Sequence, residues 1–154
     1  MKTQVSQLDA DVEGNLHLLQ ITDTHLFSDR EKDLLGIKTV KSFEAVVQHA
    51  AKYSPLCHAV LSTGDLSQDH SAQSYSDFST QIKALNMPCY WLPGNHDMQE
   101  VMLPSLLKEG LAQTRLIISD FWQIILLDSQ IAGVPHGRLS DQQLDFLQQA
   151  LLVH

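Results

Sequence analysis

The sequence lacks paired cysteines, long apolar runs and any excess of basic charge, and each absence excludes a class of protein. Cys57 and Cys89 are isolated, which excludes a disulfide framework and a thiolate metal site and suits a reducing cytosol. No apolar run reaches the roughly 18 residues that a membrane-spanning helix needs. A formal net charge of −8 argues against nucleic-acid binding, which requires a basic surface. We therefore expect a cytoplasmic protein with neither a membrane nor a nucleic acid as its partner.

The sequence does contain apolar runs that alternate with helix-length segments, which is typical of an α/β domain. Its 154 residues, 44% of them hydrophobic, are enough for a single domain over 1–154, with 1–14 as a flexible or weakly paired lead-in. Five strands are predicted, the last two as a hairpin with its turn near Asp120. Their ranges are 16–21, 57–61, 88–92, 115–121 and 122–127.

Apolar residues at intervals of three and four predict helices between the strands. The apolar face of the first helix contains Val40, Phe43, Val46, Val47 and Ala50, and that of the second contains Tyr75, Phe78, Ile82 and Leu85. A last helix carries Leu144, Leu147 and Leu151, with a capping box of Ser140 and Gln143 at its start. Within 98–110, Pro104 either starts or splits a further helix.

Three short clusters of polar residues each follow one of the first three predicted strands. They are Asp23-Thr24-His25, Gly64-Asp65 and Gly94-Asn95-His96-Asp97. Because polar groups at the ends of neighbouring strands meet at one edge of a sheet, we expect the three clusters to lie together. Carboxylate, imidazole and amide ligands suit borderline or hard divalent ions, so the sequence predicts a centre for manganese, iron(II) or zinc.

Each residue type in the clusters has a chemical reason to be there. Residues i and i+2 of an extended segment point the same way, so Asp23 and His25 are expected to hold one cation together. The carboxylate of Asp65 can bridge two cations about 3.5–4 Å apart, and Asn95 can bind the second through a neutral oxygen. His96 is expected to point elsewhere and to donate a proton to a leaving oxygen.

Other polar residues near the clusters have more than one interpretation. Asp97 is either a member of the centre or simply the N-cap of the next helix. The charged loop 28–33 either borders the substrate or is a solvated surface loop. His70 follows Asp69 in the loop after the second cluster, where it contacts either substrate or only solvent. Asp69 is a candidate for orienting the histidine of the third cluster.

In their order, the clusters resemble the calcineurin-like metallophosphoesterases, whose pattern is D-x-H, G-D, G-N-H-D/E, G-H and G-H-x-H. The surrounding residues are similar to those of the bacterial class III cyclic-nucleotide phosphodiesterases that act on 3′,5′-cyclic AMP, from about Leu16 to Leu152. The segments that carry this likeness are LQITDTHL at 19–26, TGDLSQD at 63–69, WLPGNHD at 91–97, LDS at 127–129, GVPHG at 133–137 and LSDQQL at 139–144.

The resemblance implies an αββα sandwich that hydrolyses the phosphodiester bond of 3′,5′-cyclic AMP to 5′-AMP at two divalent metal ions. The metals would polarise the phosphate and lower the pKa of bound water toward about 7. The implied metal ligands are Asp23, His25, Asp65 and Asn95. His96 is the implied general acid, and the small cyclic nucleotide is expected to contact His25, Asn95 and His96.

The last two motifs of the family have no counterpart here, because none of the seven glycines is followed by histidine. We therefore expect the chain to be the amino-terminal part of a longer enzyme. On its own it should hold at most one ion weakly and have negligible turnover. An unfinished sheet exposes strand edges, so self-association through them is also expected.

Two rival functions remain open. A protein serine/threonine phosphatase shares the ligands, but such enzymes resemble G-D-x-x-D-R-G followed by G-N-H-E. Here Gln68 stands in place of the second aspartate, and Asp97 stands in place of the glutamate. A metallophosphoesterase-like scaffold that has lost catalysis would explain the absent histidines, but every ligand of the first three motifs is intact.

Overall fold

The computed structural model describes residues 5–54 and 56–152, and within them the predicted α/β class is confirmed. A 3₁₀ turn, Lys83–Leu85, extends the second helix. None of the described helices has both the length and the apolarity that crossing a bilayer requires. The elements in chain order are β1 (Val5–Gln7), β2 (Leu18–Ile21), α1 (Thr39–Tyr53), β3 (Ala59–Ser62), α2 (Ala72–Ile82), β4 (Cys89–Trp91), α3 (Gln99–Lys108), β5 (Leu116–Ile118), β6 (Gln123–Ile125) and α4 (Asp141–Leu151).

The strands form two three-stranded sheets. In the first sheet β2, β3 and β4 run parallel in that order, with Leu19 opposite Val60 and Leu61 opposite Tyr90. In the second sheet β5 lies between β1, to which it is parallel, and β6, to which it is antiparallel. Because the first sheet is entirely parallel, its three strands end at the same edge. The loops that carry the three polar clusters therefore leave the sheet side by side.

Apolar packing fixes the order of the layers. One core cluster joins α1, α2 and α3 to the first sheet. A second cluster lies between the sheets, where Tyr90 of β4 and Ile117 of β5 are both buried. α4 lies on the outer face of the second sheet, where Nε2 of Gln123 donates to the carbonyl oxygen of Ala150 at 2.7 Å. The layers thus follow the α-β-β-α order that the resemblance implied.

Within the predicted lead-in, residues 5–7 form β1. Its backbone pairs with β5, and the hydroxyls of Ser6 and Tyr90 form a hydrogen bond of 2.7 Å. The partners of this strand are more than 80 positions away, so no local pattern indicates it. Residues 1–4 of the predicted lead-in lie outside the described residues.

Two predicted apolar faces are only partly buried. Val46 of α1 is 48% exposed, because it lies about 100° around the helix from buried Val47. Leu144 and Leu151 of α4 are 47% and 57% exposed, because this helix contacts only a three-stranded sheet. By contrast, all four apolar residues predicted for the second helix are buried, namely Tyr75, Phe78, Ile82 and Leu85.

Both helix-boundary predictions need adjustment. Ser140 caps α4 as expected, since its hydroxyl accepts from the N–H of Gln143 at 3.4 Å. The side chain of Gln143 does not complete the capping box, because its oxygen accepts from the N–H of Asp128 instead. Pro104 neither starts nor splits α3 but lies inside a continuous helix.

Candidate metal centre

The loops after β2 and β3 bring the side chains of Asp23, His25 and Asp65 together. Nε2 of His25 lies 3.7 Å from Oδ1 of Asp23 and 3.8 Å from Oδ2 of Asp65. Both distances are too long for hydrogen bonds. They do suit ligands of one ion, because bonds of about 2.0–2.2 Å place neighbouring ligand atoms roughly 3–4 Å apart. Two carboxylates and an imidazole in this arrangement fit a divalent cation.

Left-handed backbone produces this convergence. Asp23 and His25 have φ angles of 57° and 43°, and Asp65 has 54°. The expectation that an extended segment aligns Asp23 with His25 was therefore wrong, although their side chains do meet. Aspartate and histidine enter this region more readily than most residues. The N–H groups of Asp23 and His25 donate to the carbonyls of Gly64 and Asp65 at 3.0 and 2.9 Å, so the loops stay paired beyond the strands.

Gly64 and Gly94 allow the second and third loops to touch. Gly64 has a φ of 102°, and a Cβ on it would lie 2.6 Å from Cα of Gly94. A Cβ on Gly94 would overlap Oδ1 of Asp65 and lie 2.8 Å from its Cγ. No side chain fits at either position unless the loops separate.

The third cluster completes the edge of the site. The N–H of His96 donates to Oδ1 of Asp65 at 2.9 Å, while Oδ2 is the oxygen nearest His25. The rings of His25 and His96 meet edge to face with centroids 5.0 Å apart. Asn95 is exposed and lines a polar cleft of about 200 Å³ together with Asp23 and Asp65. The structure thus gathers all five predicted site residues, of which three form the compact ligand cluster.

Asp97 fastens the third loop to the second. Its buried carboxylate accepts the N–H groups of Leu66, Ser67 and Gly94 at 3.0, 3.1 and 2.9 Å. Burial raises the pKa of this carboxyl despite those hydrogen bonds, which favour the charged form. The N-cap interpretation was wrong, because Met98 is the N-cap of α3 and no side chain caps it.

Asp69 does not orient His96. One carboxylate oxygen accepts from the N–H and the hydroxyl of Ser28 at 2.7 and 2.8 Å, and the other accepts from the N–H of Ser71 at 3.1 Å. Burial alone would raise the pKa of Asp69, but the hydrogen bonds from Ser28 and Ser71 together lower it well below its usual range. The carboxylate therefore joins the loop after β2 to the start of α2, and the predicted role was wrong.

The two further histidines occupy different positions. His136 lines the polar cleft together with Asp23 and Asp65, in a segment that also contributes Ser129. His70 is exposed and is not part of the cleft lining. Only His136 is placed to contact a molecule in the cleft.

Gln130 braces the third cluster, a role that the sequence did not suggest. Its Nε2 donates to the carbonyl oxygens of Gly94 and Asp97, each at 2.6 Å. Its Oε1 accepts from Nε2 of Gln99, which also donates to Asp128. The only available signal was that the neighbouring residues Asp128 and Ser129 belong to a segment that carries the resemblance. That signal indicates a loop of the family's type but not which side chain reaches the third cluster.

Replacement of Gln130 by leucine should lower the free energy of unfolding by about 2 kcal/mol, because two carbonyls lose their donor. Urea denaturation would measure the change. Gln142→Leu is a matched control on the exposed side of α4. An equal loss in both variants would mean that the brace contributes nothing.

Comparison with known proteins identifies relatives of one kind. The chain matches the family model of calcineurin-like phosphoesterases over residues 16–152. The 3′,5′-cyclic adenosine monophosphate phosphodiesterase CpdA of Vibrio vulnificus is 49% identical over 140 residues, which are 90% of this chain and 51% of the relative. CpdA of Escherichia coli K12 is 44% identical with the same coverage. The 3′,5′-cyclic-nucleotide phosphodiesterase alr5338 of Nostoc is 35% identical over 137 residues, which are 88% of this chain and 51% of that relative. The chain spans about half the length of the curated relatives it matches.

Proposed function

This chain belongs to the calcineurin-like phosphoesterase family, and we propose that it forms part of an enzyme that hydrolyses 3′,5′-cyclic AMP to 5′-AMP. The observation that carries the proposal is the cluster of Asp23, His25 and Asp65 on a polar cleft. The names of the relatives support a cyclic nucleotide as the substrate.

The donor set fits the divalent metals that the family uses. Asp23, His25 and Asp65 would hold one ion, and Asp65 with Asn95 would contribute to a second. Oxygen and nitrogen donors without a thiolate suit manganese, iron or zinc. When bound, these ions supply the charge that polarises a phosphate and lowers the pKa of water.

The side chains of the third cluster perform the proton transfer. His96 borders the cluster and donates a proton to the departing ribose oxygen. Its backbone N–H holds Oδ1 of Asp65 at 2.9 Å, so one residue positions both the acid and the bridging carboxylate. His25 and Asn95 contact the phosphate, and His136 contacts the substrate from the far side of the cleft.

The 154-residue chain by itself has negligible turnover in this proposal. Asp65 and Asn95 alone offer too few ligands for a stable second site, whereas the first site can hold one ion weakly. Free strand edges, for example that of β6, favour self-association. The unpaired thiols of Cys57 and Cys89 support a cytoplasmic location, and burial raises the pKa of Cys89 to about 12, which leaves that thiol inert.

The test uses a polypeptide of the relatives' length that carries these 154 residues, supplied with Mn²⁺. We expect it to convert 3′,5′-cyclic AMP to 5′-AMP and to leave a phosphoserine peptide intact, and chromatography identifies the products. Faster hydrolysis of the phosphopeptide would support the protein phosphatase. Two bound metals without hydrolysis of either compound would support the scaffold.

A further inference from the structure

A second groove, of about 360 Å³, lies on the α1 side of Asp23. Its walls are the end of β2 with the loop that follows, the turn at 34–37 and the first two turns of α1, and most of the lining is apolar. Asp23 lines both this groove and the polar cleft, so the two spaces meet at the candidate metal centre. The volume lies within the range of small-molecule sites, which is roughly 300–1,000 Å³.

The turn at 34–37 holds an apolar side chain in water at the rim of the groove. Leu34 and Ile37 exchange backbone hydrogen bonds of 2.9 and 3.0 Å. The two residues between Leu34 and Ile37 are Leu35 and Gly36, with φ angles of 52° and 85°. In a turn with two positive φ angles, asparagine followed by glycine is the preferred pair. Leu35 is nevertheless leucine, and its side chain is 97% exposed. Leu35 therefore has an unfavourable backbone conformation, and its exposed side chain adds apolar surface to the groove.

An unpartnered hydroxyl lies at the inner end of the same groove. Thr39 is the first residue of α1 and is only 8% exposed, yet its Oγ1 has no hydrogen-bond partner among the described residues. α1 also begins without a side-chain cap at Lys38 and without an acidic residue in its first turn. Buried hydroxyls are normally hydrogen-bonded, so Thr39 provides a polar partner for a molecule that fills the groove.

We propose that this groove binds the purine base of a nucleotide whose phosphate lies at Asp23, His25 and Asp65. A purine has flat apolar faces, which the aliphatic walls cover, and polar edge atoms, to which the hydroxyl of Thr39 binds. This inference rests on the proposed function, because it places the base of the same substrate.

Adenosine, which lacks a phosphate, is the probe for the groove. We would titrate it into the 154-residue chain and follow binding by NMR. Thr39→Val should weaken binding about five-fold to ten-fold, whereas Thr39→Ser, which keeps the hydroxyl, should stay within about two-fold of the wild type. The unfolding midpoint of Thr39→Val should not fall, because Oγ1 has no partner within the described structure to lose.

Replacement of Leu35 by asparagine separates stability from binding. Asparagine tolerates a positive φ, so this variant should unfold at higher temperature and yet bind adenosine about five-fold more weakly. Val12→Asn is the matched control, because Val12 is fully exposed and is not part of the groove lining.

Unchanged adenosine affinity in both Thr39→Val and Leu35→Asn would overturn the proposal. It would also be overturned if adenosine did not bind. Loss of self-association in Leu35→Asn would then identify the groove as an interface between copies. Neither readout depends on metal or turnover. A failure of the longer protein to hydrolyse cyclic AMP would instead contradict the proposed function.

Discussion

Replacement of His96 by alanine should remove most turnover of the longer protein but leave its metal binding intact, whereas Asp65→Asn should remove both. The backbone N–H of residue 96 still holds Oδ1 of Asp65 in the alanine variant, so the ligand stays in place. Loss of a general acid typically costs about 10²–10⁴-fold in rate. Asp65→Asn removes one of the two carboxylates of the candidate ligand cluster. Elemental analysis of the metal content and an assay of 5′-AMP release would measure the two effects.

The control for His96 is His49→Ala, which removes an exposed histidine from α1. Equal metal loss in the His96 and Asp65 variants would make His96 a ligand.

The short chain offers a second readout for Asp65→Asn. Without metal, the substitution should raise the free energy of unfolding by about 1 kcal/mol, because it relieves repulsion of Asp97 and Asp23. In excess Mn²⁺ the wild type should become more stable than Asp65→Asn, because bound metal stabilises only the folded chain that holds it. Asp120→Asn, on an exposed turn, should show no such reversal.

Replacement of Gly94 by alanine should lower the free energy of unfolding by about 3 kcal/mol and greatly weaken metal binding. The added Cβ would overlap Oδ1 of Asp65, so either the carboxylate turns away from His25 or the two loops separate. Urea denaturation and a Mn²⁺ titration would measure the two consequences.

Gly133→Ala provides the comparison for Gly94→Ala. Gly133 has a φ of 77°, but nothing lies within 4 Å of an added Cβ. Its substitution should therefore cost only the backbone strain of about 1 kcal/mol. If the two alanine variants were equally destabilised, steric contact between the loops would not be the cause.

The placement of the candidate centre follows from the sequence, but its local geometry does not. Apolar runs before each cluster predict parallel strands, and parallel neighbours necessarily end at the same edge. That was enough to bring Asp23, Asp65 and Asn95 to one place. The positive φ angles of Asp23 and His25 depend on carbonyls some 40 positions later, so no local rule could supply them.

The supports of the centre were the least predictable part. Asp97 lies two residues before α3, where a capping role is the ordinary expectation. Its role in joining the third loop to the second depends on hydrogen bonds to residues some 30 positions earlier. Gln130 carries no motif and reaches the third cluster across 33 to 36 positions. Val46 was assigned to a buried face because spacing alone does not define how wide the buried side of a helix is.

The pairing of β1 with β5 has a consequence for the order of assembly. Val5 lies opposite Leu116, so during synthesis β1 waits for a partner that lies 111 residues later in the chain. The strands β2, β3 and β4, which precede Asp23, Asp65 and Gly94, need no residue after Trp91 to pair with one another. Synthesis therefore delivers the candidate metal centre before the second sheet can close, and Gln130, which braces its third loop, arrives later still.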